Sequence, residues 1–326
     1  SLLNLFLVSI VALLIGYSTF FILVIRSNAN TPINENSPKD AVSLLAYLNR
    51  EQYGDLPIIY GQYYNTPLDP QQPYKDGNPV YARDNKLGRY VIIDSRKNAI
   101  PNFDKRYCTF FPRMWSSQKN HIIGYKSWGK VKGTPVNING ETEYIPTFSE
   151  NLRFFFSYQL GHMYFRYFMW NFAGRQNDTQ GHGGLREGNW ISGINFIDEM
   201  RLGPQTNLPD AEANNKAKNK LYMLPLLLGI IGLVFNYMKD KNNFLVVFLL
   251  FFMTGIAINI YLNVSPYQPR ERDYAYVGSF YAFAMWIGMG VLALYEFIGS
   301  RINSILKATG LTIACFLLVP YIMAKE

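Results

Sequence analysis

The chain has 326 residues and a formal net charge of +8 at pH 7. This positive charge suits anionic lipid headgroups or phosphates. Nucleic acid is excluded as an expected partner, because no basic cluster is interleaved with a recognisable reader motif. The two cysteines, Cys108 and Cys315, lie in a polar and an apolar segment. They therefore predict neither a disulfide nor a metal site.

Apolar residues are concentrated in five runs, each close to the length that crosses about 30 Å of hydrocarbon as a helix. The runs are Leu2–Ile25, Leu221–Tyr237, Phe244–Val264, Tyr281–Ile298 and Ile305–Met323. We predict a transmembrane helix over residues 1–26, since this stretch has neither a basic leader nor a small-residue cleavage site. Residues 221–323 are predicted to form four more. The chain starts and ends beside such helices, so we expect it to be an internal piece of a longer multi-spanning protein.

Residues 27–150 are polar and predict an α+β domain. Ser37–Asp40 is a good helix start, with Ser37 as the cap and Pro38 in the first turn. The apolar residues Ala41, Leu44, Leu45 and Leu48 follow at helical spacing. The remaining predictions are short buried strands at Pro57–Tyr60 and Tyr90–Ile93, a loop over Thr66–Tyr81 and a hairpin edge at Gly140–Ile145.

Residues 151–173 are rich in aromatic side chains, which favour the membrane–water interface. Arg153, His162 and Arg166 interrupt this segment, and a central Arg costs about 2.5–3.5 kcal/mol on the insertion scale. Gln159, His162 and Arg166 fall on one helical stripe. We predict an interfacial helix lying on the membrane, with a spanning helix as the alternative.

Residues 174–220 form a predicted glycine-rich loop and linker, dense in hydrogen-bonding groups. It contains no phosphate-loop or dinucleotide-binding pattern. His162, His182 and Asp178 match no strong metal motif, so no metal site is predicted. A divalent cofactor is not indicated, and the cofactor remains unknown.

The stretch Ser265–Tyr274 carries four charges and two prolines between two predicted spans. Charges this close to a bilayer pair with each other, lie at the interface or line a wet cavity. The loop is therefore either a self-neutralising interfacial cap or the floor of a polar site. Counting the positive charges on the two sides does not decide the orientation.

Six stretches resemble a known family: Ile25–Asn30, Asn34–Asn36, Tyr47–Gly54, Tyr164–Phe172, Gly174–Asp178 and Gln268–Tyr274. Together they are similar to bacterial multi-spanning proteins, once catalogued only as a domain of unknown function. That family is grouped with the eukaryotic transmembrane O-mannosyltransferase of plexin-type receptors. The resemblance implies a polytopic α-helical membrane protein, a type-C glycosyltransferase, with a large α+β extracytoplasmic loop domain.

By this resemblance, the enzyme would move a mannose-type sugar from a polyprenyl-phosphate donor to Ser/Thr of translocated acceptor proteins. It would lie in the bacterial inner membrane, contacting membrane lipids and the rest of its own polypeptide. Residues 27–220 and the loop 265–276 would face the periplasm. Type-C enzymes carry their catalytic acidic residue in the first extracytoplasmic loop. This chain starts later, so it stays open whether the main base lies upstream.

The site hypothesis assigns the lipid phosphate to Arg270 and Arg272, and less strongly to Arg166 and Arg175. Arginine suits this role through bidentate geometry. The acidic candidates are Asp178, Glu35 and Asp273, of which Asp273 is expected to neutralise a neighbouring arginine. The supporting residues are Glu271, Asp273, Gln176, Asn177 and His182.

The rival hypothesis is a non-catalytic, membrane-anchored scaffold that binds other envelope proteins. A transporter is less favoured, because the spans carry almost no charge for a relay and show no repeat.

Overall fold

The computed structural model describes residues 2–51, 54, 56–84, 86–138, 140–298, 304–318 and 320–325. The chain divides into two compact units. Unit 1 comprises Ser1–Pro57 and Pro67–Asp104, and unit 2 comprises Ile58–Thr66 and Lys105–Glu326.

Helices occur in both units. Unit 1 contains α1 (Leu2–Asn28) and α2 (Ala41–Leu48). The helices of unit 2 are α3 (Lys119–Gly129), α4 (Phe148–Phe154), α5 (Arg166–Phe172), α6 (Asn195–Leu202), α7 (Asp210–Ala213), α8 (Leu224–Lys239), α9 (Lys241–Thr254), α10 (Ile256–Leu262), α11 (Val277–Phe297), α12 (Ser304–Leu318) and α13 (Pro320–Lys325). A π-helix over Phe155–Phe165 joins α4 to α5, and 3-10 turns cover Lys105–Tyr107 and Asp273–Tyr276.

The strands are short and pair two by two in antiparallel fashion. They are β1 (Tyr60–Gly61), β2 (Tyr74–Lys75), β3 (Val80–Asp84), β4 (Arg89–Asp94), β5 (Ile100–Pro101), β6 (Thr109–Phe110), β7 (Thr134–Ile138), β8 (Glu141–Ile145), β9 (Gly174–Arg175) and β10 (Asn219–Lys220). The pairs are β1–β6, β2–β5, β3–β4, β7–β8 and β9–β10.

Three helical stretches are long and apolar enough to cross a membrane: Leu2–Asn28, Lys241–Leu262 and Asp273–Phe297. Two further apolar helices, Leu224–Lys239 and Ser304–Leu317, are shorter. All five predicted apolar helices therefore exist, but in the described residues only three have spanning length.

Unit 1 confirms the predicted helix after residue 40 and corrects its start. Asp40, not Ser37, is the N-cap, because its side chain accepts hydrogen bonds from the N–H groups of Val42 and Ser43. The strand predicted around Tyr90 is confirmed as β4, but most of its side chains are exposed. The expectation of a buried strand was therefore wrong for β4.

In unit 2, strand β1 covers Tyr60–Gly61. It shares only Tyr60 with the strand predicted at Pro57–Tyr60. The hairpin predicted at Gly140–Ile145 is confirmed by the β7–β8 pair. Residues 174–220, predicted as loop and linker, contain the ordered elements β9, α6, α7 and β10.

The continuous helix from α4 through the π-helix to α5 is the core of unit 2. Thr147 and Glu150 start it with a capping box, in which each side chain accepts the other residue's N–H. Phe154, Tyr164 and Tyr167 are fully buried. Most of the predicted interfacial segment is thus buried, while Phe156 and Phe165 are 60% and 45% exposed. Its polar stripe faces other parts of unit 2.

Two helices of unit 2 pack at very short range through glycines. A Cβ atom on Gly232 of α8 would collide with the carbonyl oxygen of Trp286 in α11. Trp286 donates from its indole N–H to Asn236 at 3.1 Å. Small residues that let backbones approach are typical of helix pairs in membranes. The contact fixes α8 directly against α11, the helix that follows the loop 265–276 in the chain.

Candidate functional site

The site is centred on Glu271, in the loop between α10 and α11. Its carboxylate accepts hydrogen bonds from Arg166 at 2.7 Å and 3.1 Å, and from the Gly181 N–H at 2.7 Å. The hydroxyl of Tyr167 donates to the same carboxylate. Burial raises the pKa of Glu271, but these hydrogen bonds outweigh burial and hold its pKa below the usual value. Glu271 is therefore ionised at neutral pH.

Arg166 is buried and directed at Glu271. Its remaining donors go to the carbonyl oxygens of His162 and Gly188, at 3.0 Å each. Its guanidinium also lies 4.8 Å from the ring of Trp170. Each of its three guanidinium nitrogens thus donates to at least one acceptor inside the protein. Arg166 therefore holds the loop in place, and its assignment to a lipid phosphate stays a prediction.

Arg270 and Arg272 flank Glu271 and form no salt bridge among the described residues. Arg270 is exposed, with its guanidinium 5.7 Å from the ring of Tyr274. Arg272 is half-buried, and its Nε atom is buried without a hydrogen-bond acceptor in the described part of the chain. In this loop Glu271 forms an ion pair with Arg166. The expected pair of Asp273 with a neighbouring arginine is not formed among the described residues.

The glycine-rich loop folds around two amide side chains. Asn177 is buried and accepts the N–H groups of Thr179 and Gly188, while donating to the Arg186 carbonyl. Gln176 accepts from the backbone and side-chain N–H groups of Asn189 at 3.1 Å. Both side chains therefore shape the loop, as supporting residues would.

Arg175 lies beside this loop. Its Nε donates to the Asn177 carbonyl at 2.9 Å, and its guanidinium stacks over the ring of Trp170 at 4.1 Å. The stacking fixes the plane of the guanidinium. In contrast to Arg166, Arg175 is only half-buried.

Two histidines contact the same loop in different ways. His162 is buried, with Nε2 at 3.0 Å from the Gly181 carbonyl. Burial, followed by the charge of Arg166, lowers the pKa of His162 to about 4. It is therefore neutral at pH 7 and donates this hydrogen bond from Nε2. His182 is exposed, with its ring 5.6 Å from that of Tyr267.

Two of the three acidic candidates, Asp178 and Glu35, belong to different units. Asp178, in unit 2, is exposed and accepts a hydrogen bond from Asn215 at 3.0 Å, which lowers its pKa. Glu35, in unit 1, is exposed beside α1. Among the residues that the structure describes, no group of three or more His, Cys, Asp or Glu side chains is placed to hold a metal ion.

Sequence reasoning missed the contacts that fix the loop to the helical core. Gln159 is fully buried and donates to the Val264 carbonyl at 2.9 Å, and Gln180 donates to the Gln268 carbonyl at 2.7 Å. Tyr158 donates to the Ser265 carbonyl at 3.3 Å. These bonds hold the start of the loop 265–276 against the π-helix and the glycine-rich loop of unit 2. The polar stripe of residues 159, 162 and 166 was the sequence signal that could have predicted these contacts.

Taken together, the apolar helices and the cationic loop define a membrane protein with a polar site at one end of its helices. Residues 54–156 match a family described as Family of unknown function (DUF8416), which is less than half of the chain. No curated protein and no solved structure matched the chain.

Proposed function

We propose that the chain belongs to a membrane glycosyltransferase of the protein O-mannosyltransferase type. The donor would be a polyprenyl-phosphate-linked sugar, and the acceptor would be Ser/Thr of proteins translocated across the bacterial inner membrane. One observation carries the proposal. Arg270 and Arg272 form no salt bridge among the described residues, while the carboxylate between them is engaged by Arg166.

The position of these arginines suits a membrane-bound phosphate. Their loop lies between two helical stretches, Lys241–Leu262 and Asp273–Phe297, that are long enough to cross a bilayer. A lipid phosphate lies at the level where such helices leave the hydrocarbon. Guanidinium groups bind phosphate oxygens in bidentate fashion. The Arg272 Nε–H is buried without an acceptor in the described chain, which costs free energy. A bound anion would supply that acceptor and remove the cost.

In the proposed reaction, the acceptor hydroxyl oxygen forms a bond to the anomeric carbon of the sugar. The bond between that carbon and the phosphate oxygen breaks, and the lipid phosphate leaves with the electron pair. Arg270 and Arg272 stabilise its negative charge. The hydroxyl proton passes to a carboxylate base. Asp178 and Glu35 are the acidic candidates for this role among the described residues.

The test uses the complete protein in nanodiscs, with radiolabelled polyprenyl-phosphate mannose and a Ser/Thr-containing peptide. Arg270→Ala with Arg272→Ala should reduce sugar transfer by about 100-fold or more, as loss of a charge-stabilising donor does. Arg89→Ala, an exposed arginine on β4, is the matched control and should leave transfer unchanged. Normal transfer by the double variant, at normal protein abundance, would remove both arginines from the site.

The scaffold hypothesis makes a different prediction for the same assay. A non-catalytic anchor that binds other envelope proteins would transfer no sugar to the peptide. The wild type could bind polyprenyl phosphate and the double variant fail to bind it, while neither protein transfers sugar. That result would support the anion site and reject the enzyme.

A further inference from the structure

Helix α6 of unit 2 contacts the protein through its polar face. Asp198 is 3% exposed and accepts hydrogen bonds from the N–H groups of Ser192 and Gly193, at 2.7 Å and 2.8 Å. Three residues further on, the guanidinium of Arg201 lies 3.4 Å from the centre of the Trp190 ring. Residues three apart are neighbours on one side of a helix. The side of α6 that carries Asp198 and Arg201 is therefore the side held by the protein.

The opposite side of α6 carries large apolar side chains that the protein leaves uncovered. Phe196 and Met200, one turn apart, are 73% and 71% exposed. With 3.6 residues per turn, each lies about 160° around the helix axis from Asp198. A helix of a soluble protein has the reverse arrangement, with its apolar face against the core. Leaving two such side chains in water forgoes about 1.5–3 kcal/mol for each, and an apolar environment on this side would recover it.

The start of α6 lies beside the start of the apolar helix α8. A Cβ atom on Gly193 would be 3.2 Å from the ring of Tyr222 and 2.9 Å from the Cβ of Lys220. Tyr222 precedes the first residue of α8 by two positions and is half-exposed. Tyrosine is enriched where helices leave the hydrocarbon, and lysine extends its charge from there into water. The contact therefore places the start of α6 where α8 enters the bilayer.

This position is at the same end of the helices as the arginine loop. Lys239, the last residue of α8, pairs at 2.6 Å with Glu296, one residue from the end of α11. The two helices therefore also begin at a common end, and the loop 265–276 precedes α11 there. Leu227 and Val234 of α8 remain half-exposed, and in a membrane protein such an apolar surface faces lipid. The uncovered side of α6 thus begins next to a surface that lipid already covers.

We propose that α6 lies at the surface of the bilayer, on the side of the loop 265–276, with Phe196 and Met200 inserted between the lipid headgroups and the acyl chains. Helices with one apolar and one polar face bind membranes in this way, with the apolar face buried about 5–10 Å deep. A bilayer accounts for the exposed face better than a partner protein does, because α8 brings lipid to this position. The inference is independent of the proposed glycosyl transfer, since no residue of α6 belongs to the arginine site.

Electron paramagnetic resonance of nitroxide labels tests where these side chains lie. The complete protein is studied in nanodiscs of phosphatidylcholine and phosphatidylglycerol, as Phe196→Cys, Met200→Cys or Ala211→Cys in a Cys108→Ala, Cys315→Ala background. The ratio of collisions with oxygen to collisions with a polar nickel chelate should be about tenfold higher or more at 196 and 200 than at 211, because hydrocarbon excludes polar solutes. Ala211, exposed on the short polar helix α7, is the matched control.

Two results of this measurement would overturn the proposal. Ratios at 196 and 200 equal to that at 211 would place both side chains in water. Few collisions with either reagent at 196 and 200 would mean that protein covers this face, as a second copy of the chain or another partner would.

A charged substitution gives a second test that needs no label. Phe196→Asp introduces a carboxylate near the start of α6, where an acidic residue stabilises a helix in water. At the bilayer surface the same charge would expel this turn from the lipid, so hydrogen exchange of the α6 amides should become about tenfold faster or more in nanodiscs. Phe196→Leu keeps an apolar side chain and should exchange as the wild type does. Equal exchange in Phe196→Asp and Phe196→Leu would overturn the proposal.

Discussion

Replacing Glu271 by alanine tests whether this carboxylate holds the arginine loop to the core. Glu271 accepts from both terminal nitrogens of Arg166, from Gly181 and from Tyr167. The side chains of Arg166 and Glu271 are only 4% and 18% exposed, so solvent screens this pair weakly. Removing one partner of a buried pair costs about 3–5 kcal/mol, because the other charge is left uncompensated. We expect a loss of about 3 kcal/mol, since Glu271 keeps some solvent contact.

The assay is hydrogen exchange of the protein in nanodiscs, followed by mass spectrometry. A loss of about 3 kcal/mol corresponds to exchange more than 100-fold faster at the Gly181 amide, which donates to Glu271. Glu296→Ala is the matched control. Glu296 pairs with Lys239 at 2.6 Å, but these side chains are 52% and 56% exposed, so its loss should cost less than about 1 kcal/mol.

Equal exchange in the two variants would refute the reasoning. A second check is the pair Arg166→Met with Glu271→Leu. Replacing a buried ion pair by apolar residues is often close to neutral. The double variant should therefore be more stable than either single variant.

Two further predictions concern pH and helix packing. The folded-state pKa of His162 is about 4, so as the pH falls the unfolded chain takes up the proton before the folded chain does. The free energy of unfolding should therefore decrease between about pH 6.5 and about pH 4, by up to about 3 kcal/mol. Denaturant unfolding at several pH values should show this decrease in the wild type and a smaller decrease in His162→Gln. An equal decrease in both proteins would contradict the prediction. Gly232→Ala places a methyl group against the backbone of α11 and should destabilise by about 1–3 kcal/mol or more, measured as a lower unfolding temperature in one detergent. Gly288→Ala, with nothing within 4 Å, is the control; an equal decrease in both variants would argue against tight α8–α11 packing.

The sequence predicted those elements whose signal is local. The apolar runs, helix α2 and the β7–β8 hairpin follow from periodicity and turn composition, and all are present. The cap of α2 was misassigned because Ser37 and Asp40 are both good cap residues. Ser37 has a φ of 38° and lies outside the helix, while Asp40 directly precedes Ala41. The choice between them depends on backbone geometry that composition does not specify.

The candidate site depends on contacts between residues that are distant in sequence. Arg166 and Glu271 are separated by 105 residues, and no local pattern relates one to the other. The stripe of Gln159, His162 and Arg166 was recognised as polar and was placed at the membrane interface. In the structure it faces polar groups of unit 2, because the carbonyls of Val264 and Gly181 and the carboxylate of Glu271 lie against it. Amphipathicity shows that a polar face exists but does not identify what covers it.

The alternating charges of the loop are not self-neutralising, although their sum within Arg270–Asp273 is zero. Arg166 takes up the charge of Glu271, which leaves two cations and one carboxylate in the loop. Arg166→Met should therefore release Glu271 to neutralise Arg270 or Arg272, and should weaken the binding of polyprenyl phosphate. We expect a decrease of about tenfold, equivalent to 1.4 kcal/mol, with a smaller dependence on salt. Unchanged affinity in Arg166→Met, with the fold intact, would show that the loop binds anions without this charge separation.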